Sequence, residues 1–166
     1  LPAEHQRELA ELEKTPAPAA WDRFGGWADG PKYEATGSFY PVKHDGKWYL
    51  VDPEGNLFWS LGIDVLQAHT DATQGKGHER WFTHKVPADG SLPFTHWNLQ
   101  KKYGRTDYEK EFYDVMVKRL NAWGINTIGN WSKTDVMILG RKPYTMQLSD
   151  FARGFPRFRK SNVKFY

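Results

Sequence analysis

Leu57-Phe58-Trp59-Ser60-Leu61-Gly62-Ile63-Asp64-Val65 is a nearly continuous apolar run, the pattern of a strand covered on both faces. Upstream, Ser38-Phe39-Tyr40-Pro41-Val42-Lys43 leads into Asp45-Gly46, a strong two-residue hairpin signal, and Lys47-Trp48-Tyr49-Leu50-Val51 returns. Asp52-Pro53-Glu54-Gly55 turns the chain again, with Pro and Gly at suitable turn positions. Downstream, Thr106-Asp107-Tyr108-Glu109 has the form of a capping box. Tyr108, Phe112, Val115, Met116, Leu120 and Trp123 then recur at helical spacing, and Gly124 supplies a stop. Ile125-Asn126-Thr127-Ile128 reads as a short strand. Buried strand, helix and buried strand make a βαβ unit, so the fold class is α/β with a parallel sheet. Ser132 to Leu139 suits another helix, and Pro143 to Leu148 a third strand.

The rest of the chain is less regular. Glu4 to Lys14 favours a helix with few apolar positions, chiefly Leu9 and Leu12, and Thr15-Pro16-Ala17-Pro18 breaks it. Residues 1–20 are therefore expected to be a peripheral helical arm and linker, and residues 21–56 a β-hairpin lead-in. Gln67 to Arg105 mixes His, Gly, Pro and polar groups, with room for two short helices. So long an excursion after a buried strand is more often functional than idle.

Composition narrows the function classes. The 166 residues contain no cysteine, which excludes disulfides and thiolate metal sites. A net charge of +3 tolerates an anionic partner without demanding one. The apolar runs are too short to span a membrane. Leu1-Pro2-Ala3-Glu4 lacks the basic start and apolar core of a signal peptide, so the protein is either cytosolic or already processed. Eight Trp, eight Tyr and ten Phe exceed the needs of a small core. Such flat, partly polar rings suit sugar faces, although most are expected to serve the core.

Three stretches together resemble the β-agarases of glycoside hydrolase family 50. They are Asp45 to Val65, Gly77-His78-Glu79-Arg80-Trp81-Phe82, and Arg119-Leu120-Asn121-Ala122-Trp123-Gly124-Ile125-Asn126-Thr127-Ile128-Gly129-Asn130-Trp131-Ser132. The likeness covers roughly residues 37–147. It implies a (β/α)8 TIM barrel and retaining hydrolysis of β-linked galactans of the agarose or porphyran type. Residues 57–166 would then be the first three βα units, too few to close a barrel, which needs about 250 residues. The family's acid/base glutamate on strand four and nucleophile on strand seven have no counterpart here, so the catalytic residues are expected outside this chain. The resemblance further implies a mainly bacterial, secreted or periplasmic protein whose signal peptide has been removed. The remainder of the barrel would be its structural partner.

Barrel enzymes place their sites at the carboxyl ends of the strands. That rule selects Asp64 after the first strand and Asn130, Trp131 and Ser132 after the second. Asn130 could bond sugar hydroxyls and Trp131 could stack on a pyranose, while the plainer role for Asp64 is to bond nearby backbone. His69, His78, His84 and His96 could line a cleft or serve as ordinary loop residues. No pair has metal-ligand spacing, and no cofactor is expected. Glu79 and Arg80 could form an ion pair, more plausibly a solvated one. Arg153-Gly154-Phe155-Pro156-Arg157-Phe158-Arg159-Lys160 is read as a solvated loop, with no nucleic-acid partner. A non-catalytic carbohydrate-binding or scaffold piece is the competing class.

Overall fold

The computed structural model describes residues 1–68 and 72–146. Helix α1 (Pro2–Lys14) precedes an antiparallel sheet of β1 (Tyr40–His44), β2 (Lys47–Val51) and β3 (Leu57–Phe58). Strand β4 (Gly62–Ile63) leads into an excursion holding the small hairpin β5 (Thr73–Gln74) and β6 (Ser91–Leu92), a 3-10 turn (Glu79–Trp81) and α2 (Phe94–Tyr103). Helix α3 (Glu109–Ala122), strand β7 (Thr127–Ile128) and the short α4 (Thr134–Met137) follow.

The β1–β2 hairpin forms as its turn chemistry dictates. Asp45 and Gly46 have φ of 47° and 79°, the double left-handed conformation whose twist matches the flanking strands. The expected βαβ unit also forms: β4 pairs parallel with β7, Gly62 opposite Thr127 and Ile63 opposite Ile128, with α3 in the connection. A parallel bridge joins Ile128 to Tyr144, fixed by Ile128 N–H donating to Pro143 O and Thr145 N–H to Ile128 O, both at 2.9 Å. The rest of the expected third strand, from Gln147, lies outside the described residues, as does the Arg153–Lys160 segment.

The run from Leu57 to Val65 is not one buried strand. Leu57 and Phe58 close the antiparallel sheet against Val51 and Leu50, whereas Gly62 and Ile63 belong to the parallel pair. Trp59 and Leu61, which link them, are 66% and 51% exposed. The cause is the buried side chain of Asn126. Its Nδ2 donates to Trp59 O at 2.9 Å and Gly25 O at 3.0 Å, while its Oδ1 accepts from Leu61 N–H at 2.8 Å and Thr127 Oγ1 at 3.0 Å. The amide thus stands in for the ladder bonds lost where the chain changes sheets. Gly25, at φ 88°, makes the approach possible, because a Cβ there would meet Asn126 Cβ at 2.5 Å.

The main core forms under α3. Tyr108, Phe112, Tyr113, Met116, Val117 and Leu120 pack with Ile128, Val136 and Met137, the apolar stripe expected of an amphipathic helix. Two local expectations fail. The capping box does not form: the helix begins at Glu109, so Tyr108 rather than Thr106 occupies the cap position, without a side-chain cap bond. Trp123 sits beyond the last helical residue and is exposed, because Gly124 at φ 68° has already turned the chain.

Helix α1 lies against α2 and α3 through polar contacts that its apolar pattern did not advertise. Buried His5 Nε2 bonds Glu111 Oε1 at 2.9 Å, and Glu8 takes Lys102 at 2.7 Å together with Arg119. Burial opposes ionisation of Glu8, but these two cations outweigh it and hold the carboxyl low.

A second polar knot sits in the lead-in. Asp52 Oδ1 accepts from the N–H groups of Glu54 and Asn56 at 2.8 and 3.1 Å, and Asn56 Nδ2 reaches Asp22 Oδ2 at 2.6 Å. Burial and the neighbouring Asp22 carboxyl push Asp52 up. Asp22 is held low: burial opposes its ionisation, but hydrogen bonds from Asp52, Gly26, Phe24 and Asn56 prevail. The pair thus retains a proton on Asp52 above the ordinary carboxylate range.

Asn126→Ala is expected to lower unfolding free energy by about 3 kcal/mol, measured by urea denaturation, since it strands buried groups on three segments. For the acid pair the two signs differ. Asp22 contributes stability that is lost as pH falls through its lowered value, whereas the Asp52 contribution weakens as pH rises through its raised value. Asp52→Asn, which gives Asp22 a permanent N–H donor, should gain about 1 kcal/mol at neutral pH. It should also remove the decline that accompanies Asp52 ionisation as pH rises, read from urea midpoints across a pH series.

Candidate saccharide-binding site at the strand ends

Because β4 and β7 run parallel in register, their carboxyl ends deliver Asp64 and Val65 beside Asn130, Trp131 and Ser132. A continuous set of bonds laces the two exits. Gly129 N–H donates to Ile63 O at 2.7 Å, Asn130 N–H to Asp64 Oδ1 at 2.8 Å, and Val65 N–H to Asn130 O at 2.9 Å. Leu66 N–H then donates to Ser132 Oγ, and Lys133 N–H to Leu66 O, each at 3.0 Å. Gly129 is needed here, since a Cβ would overlap the Asp64 carboxylate. Asp64 therefore does what its plainer reading proposed: it accepts from the neighbouring backbone.

The lacing holds two side-chain-bearing residues in the left-handed region, Val65 at φ 59° and Trp131 at φ 56°. For a β-branched residue this conformation is a genuine outlier, and such strain persists only where surrounding bonds impose it. Its result is that Trp131 stands out from the surface, 62% exposed. The Asn130 side-chain amide makes no hydrogen bond among the described residues and keeps its donors and acceptor free. An exposed indole next to an uncommitted amide has the chemistry to grip a pyranose, by face stacking and by hydroxyl bonding.

His69 lies outside the described residues, so this structure does not relate it to the other three candidates. The other histidines separate clearly. His96 is structural: its Nδ1 meets Tyr108 OH at 2.7 Å and its Nε2 meets Gln100 at 3.0 Å. His84 stacks on Trp97 with ring centres 5.6 Å apart. His78 stacks on exposed Trp81 at 4.1 Å and 21° between planes. This last pair was missed in the sequence, though a 3-10 turn brings residues three apart onto one side. Glu79 Oε1 accepts from Gly77 N–H at 2.9 Å, so its carboxylate serves its own turn. No group of three or more His, Asp or Glu side chains among the described residues is placed to hold a metal. Six of the eight tryptophans are half exposed or more, so among the rings it is mostly Tyr and Phe that serve the core.

No protein-family profile matches the chain. Individual relatives do. Beta-agarase B of Vibrio sp. (strain JT0107) is 35% identical over 149 residues, covering 66% of this chain and 16% of that protein. The crystal structure of an agarase, AgWH50C, superposes with a TM-score of 0.72 at 32% identity, over 86% of this chain and 25% of the other. This chain is a relative of the family-50 β-agarases. A solved exo-beta-agarase gives a TM-score of 0.66 at 26% identity, over 87% of this chain. The agarase-related chain thus spans only a sixth to about a quarter of the length of these relatives. Among its described residues the helix–strand alternation and the parallel β4–β7 pair stand as an α/β arrangement without a closed barrel. No described helix is long and apolar enough to cross a membrane.

If Val65 is strained for the sake of the lacing, Val65→Asn should relieve it, because Asn tolerates the left-handed region. Its urea midpoint is expected to rise by the equivalent of about 1 kcal/mol. A fall would show that the Val65 side chain contributes more through packing than it loses in strain.

Proposed function

We propose that this chain forms part of the substrate cleft of a glycoside hydrolase acting on β-linked galactan of the agarose or porphyran type. The observation that carries this reading is the Asp64–Asn130 lacing, which holds Trp131 outward beside an unengaged amide at adjacent parallel strand ends. The likeness to agarases supports it. In this reading β4 is barrel strand one, β7 strand two and the Tyr144 segment strand three of a (β/α)8 barrel. Residues 57–166 then belong to the barrel, residues 21–56 lead into it, and residues 1–20 flank it. Sites in such barrels gather at the carboxyl ends of the strands, where Asp64 and Asn130 lie.

Hydrolysis is retaining and uses two glutamates outside this chain. Their carboxyl groups would stand about 5–5.5 Å apart, one attacking the anomeric carbon while the other protonates the leaving oxygen. The role left to this segment is positioning. Trp131 stacks on a sugar ring, Asn130 bonds its hydroxyls, and Asp64 orients Asn130 through the backbone without touching the sugar. His69 belongs to the same cleft as a further substrate contact. The remainder of the barrel is the segment's structural partner, and the enzyme works outside the cytoplasm on algal polysaccharide.

In the full-length protein, Trp131→Ala should weaken neoagaro-oligosaccharide binding by roughly ten- to a hundredfold, the worth of one ring–sugar contact. Asn130→Ala should do so by about tenfold. Both effects should appear mainly in KM, since neither residue meets the reacting bond. Unchanged KM in both variants would remove these residues from the cleft. Binding without any hydrolysis by the full-length protein would favour a carbohydrate-binding module instead.

A further inference from the structure

The excursion between β4 and α3 belongs to the carboxyl end of the parallel pair. It leaves from the Asp64–Val65 exit that is laced to Asn130, and it returns at Glu109, where α3 begins its run back to the start of β7. Most rings within it pack on one another. Phe94 meets Phe82 at 5.8 Å and Trp97 at 5.6 Å between ring centres, and His84 stacks on Trp97. Trp81 stands apart from this cluster. Its ring partner among the described residues is His78, with centres 4.1 Å apart and planes at 21°, and it remains 65% exposed. With one face against an imidazole, that exposure leaves the opposite indole face open to water.

The ring is nonetheless fixed. Its 3-10 turn closes through Trp81 N–H donating to His78 O at 2.9 Å and Phe82 N–H to Glu79 O at 3.2 Å, and the Glu79 carboxylate ties back to Gly77 N–H. The next residue, Phe82, anchors the turn in the aromatic cluster. A ring held in this way loses little freedom when a ligand covers it. The polar groups around it are unspent. Among the described residues neither His78 ring nitrogen makes a hydrogen bond, and Arg80 makes neither an ion pair nor a hydrogen bond. An open indole face flanked by free donors repeats the chemistry of Trp131 beside Asn130.

We propose that Trp81, backed by His78, is a second stacking platform for the saccharide chain, engaging a sugar beyond the one on Trp131, with His78 and Arg80 bonding its hydroxyls. The proposal rests on the galactan reading above and deepens it by making the site selective for long chains. Once one sugar sits on Trp131, contact of the same chain with Trp81 is intramolecular. The gain is therefore confined to oligosaccharides long enough to reach both rings.

Kinetics of the full-length protein on neoagarotetraose and neoagaro-octaose test the proposal. Trp81→Ala is expected to raise KM for the octaose by about tenfold, leaving KM for the tetraose and kcat for both unchanged. Trp81→Tyr, which keeps a stacking ring, should recover most of the loss. In the unaltered protein, a brief hydroxyl-radical pulse read by peptide mass should oxidise Trp81 less with octaose present than with tetraose. A KM rise of equal size for both lengths, an unchanged KM for the octaose, or oxidation of Trp81 that the octaose does not suppress would each overturn the platform alone. Failure to hydrolyse either oligosaccharide would overturn the galactan reading and the platform with it.

Discussion

One buried amide organises the architecture. Asn126 donates to Gly25 and Trp59 and accepts from Leu61 and Thr127, so all four of its hydrogen-bonding positions are used. Those partners belong to the lead-in, the exit from the antiparallel sheet, the entrance to β4 and the start of β7. A chain leaving one sheet for another must strand at least one carbonyl and one N–H, and burying them unpaired is costly. Asn126 supplies both partners from a residue that is itself fixed at the start of a strand. The antiparallel sheet and the parallel pair are thereby set relative to each other by a side chain rather than by a shared ladder.

What happens at the other end of β4 and β7 depends on that placement. Once Gly62 and Ile63 are aligned with Thr127 and Ile128, the two exits emerge side by side, and Asp64 can reach the Asn130 N–H. Regular strand geometry does not continue past this point. Val65 and Trp131 turn into the left-handed region, and each is tied to the opposite exit directly or through its neighbour. Backbone strain is thus exchanged for the presentation of an indole and an amide. Asp64 is consumed in the process: with one oxygen holding Asn130, it serves positioning better than chemistry.

The features legible in the sequence were those with a local cause. Asp45-Gly46 announces its hairpin because few residue pairs adopt two positive φ angles, and α3 announces itself by the spacing from Tyr108 to Leu120. The parallel pair followed from strand, helix and strand in order, and with it the position of Asn130 and Trp131 just past a strand end. Features with a distant cause were hidden. Nothing near Trp59 in sequence indicates that an amide 67 residues away will take its carbonyl. The apolar run from Leu57 to Val65 therefore read as one strand when it is two. The same holds for His5 and Glu8, whose partners lie on α2 and α3. Val65 was invisible for a different reason. Its conformation is imposed against its own preference, so propensity points the wrong way.

The distribution of tryptophan carries the argument one step further. If the rings were there to fill a core, they would gather under α3; instead that core is built from Tyr, Phe, Val, Leu, Ile and Met. Trp27, Trp48, Trp59, Trp81, Trp123 and Trp131 are all substantially exposed. They do not form a single face. Trp59 and Trp27 line a pocket of about 360 Å³ beside Asn126, where the strands begin, while Trp131 stands where they end. Large rings left in water at both ends of a parallel pair are costly to solubility unless something covers them. The two ends differ in what can cover them. At the strand ends the indole sits beside a free amide, a combination that suits a hydrated sugar. At the strand entrances Asn126 is fully engaged, which leaves that pocket an apolar surface fitted for packing. The division of labour therefore follows from which asparagine is spent on the fold and which is left free.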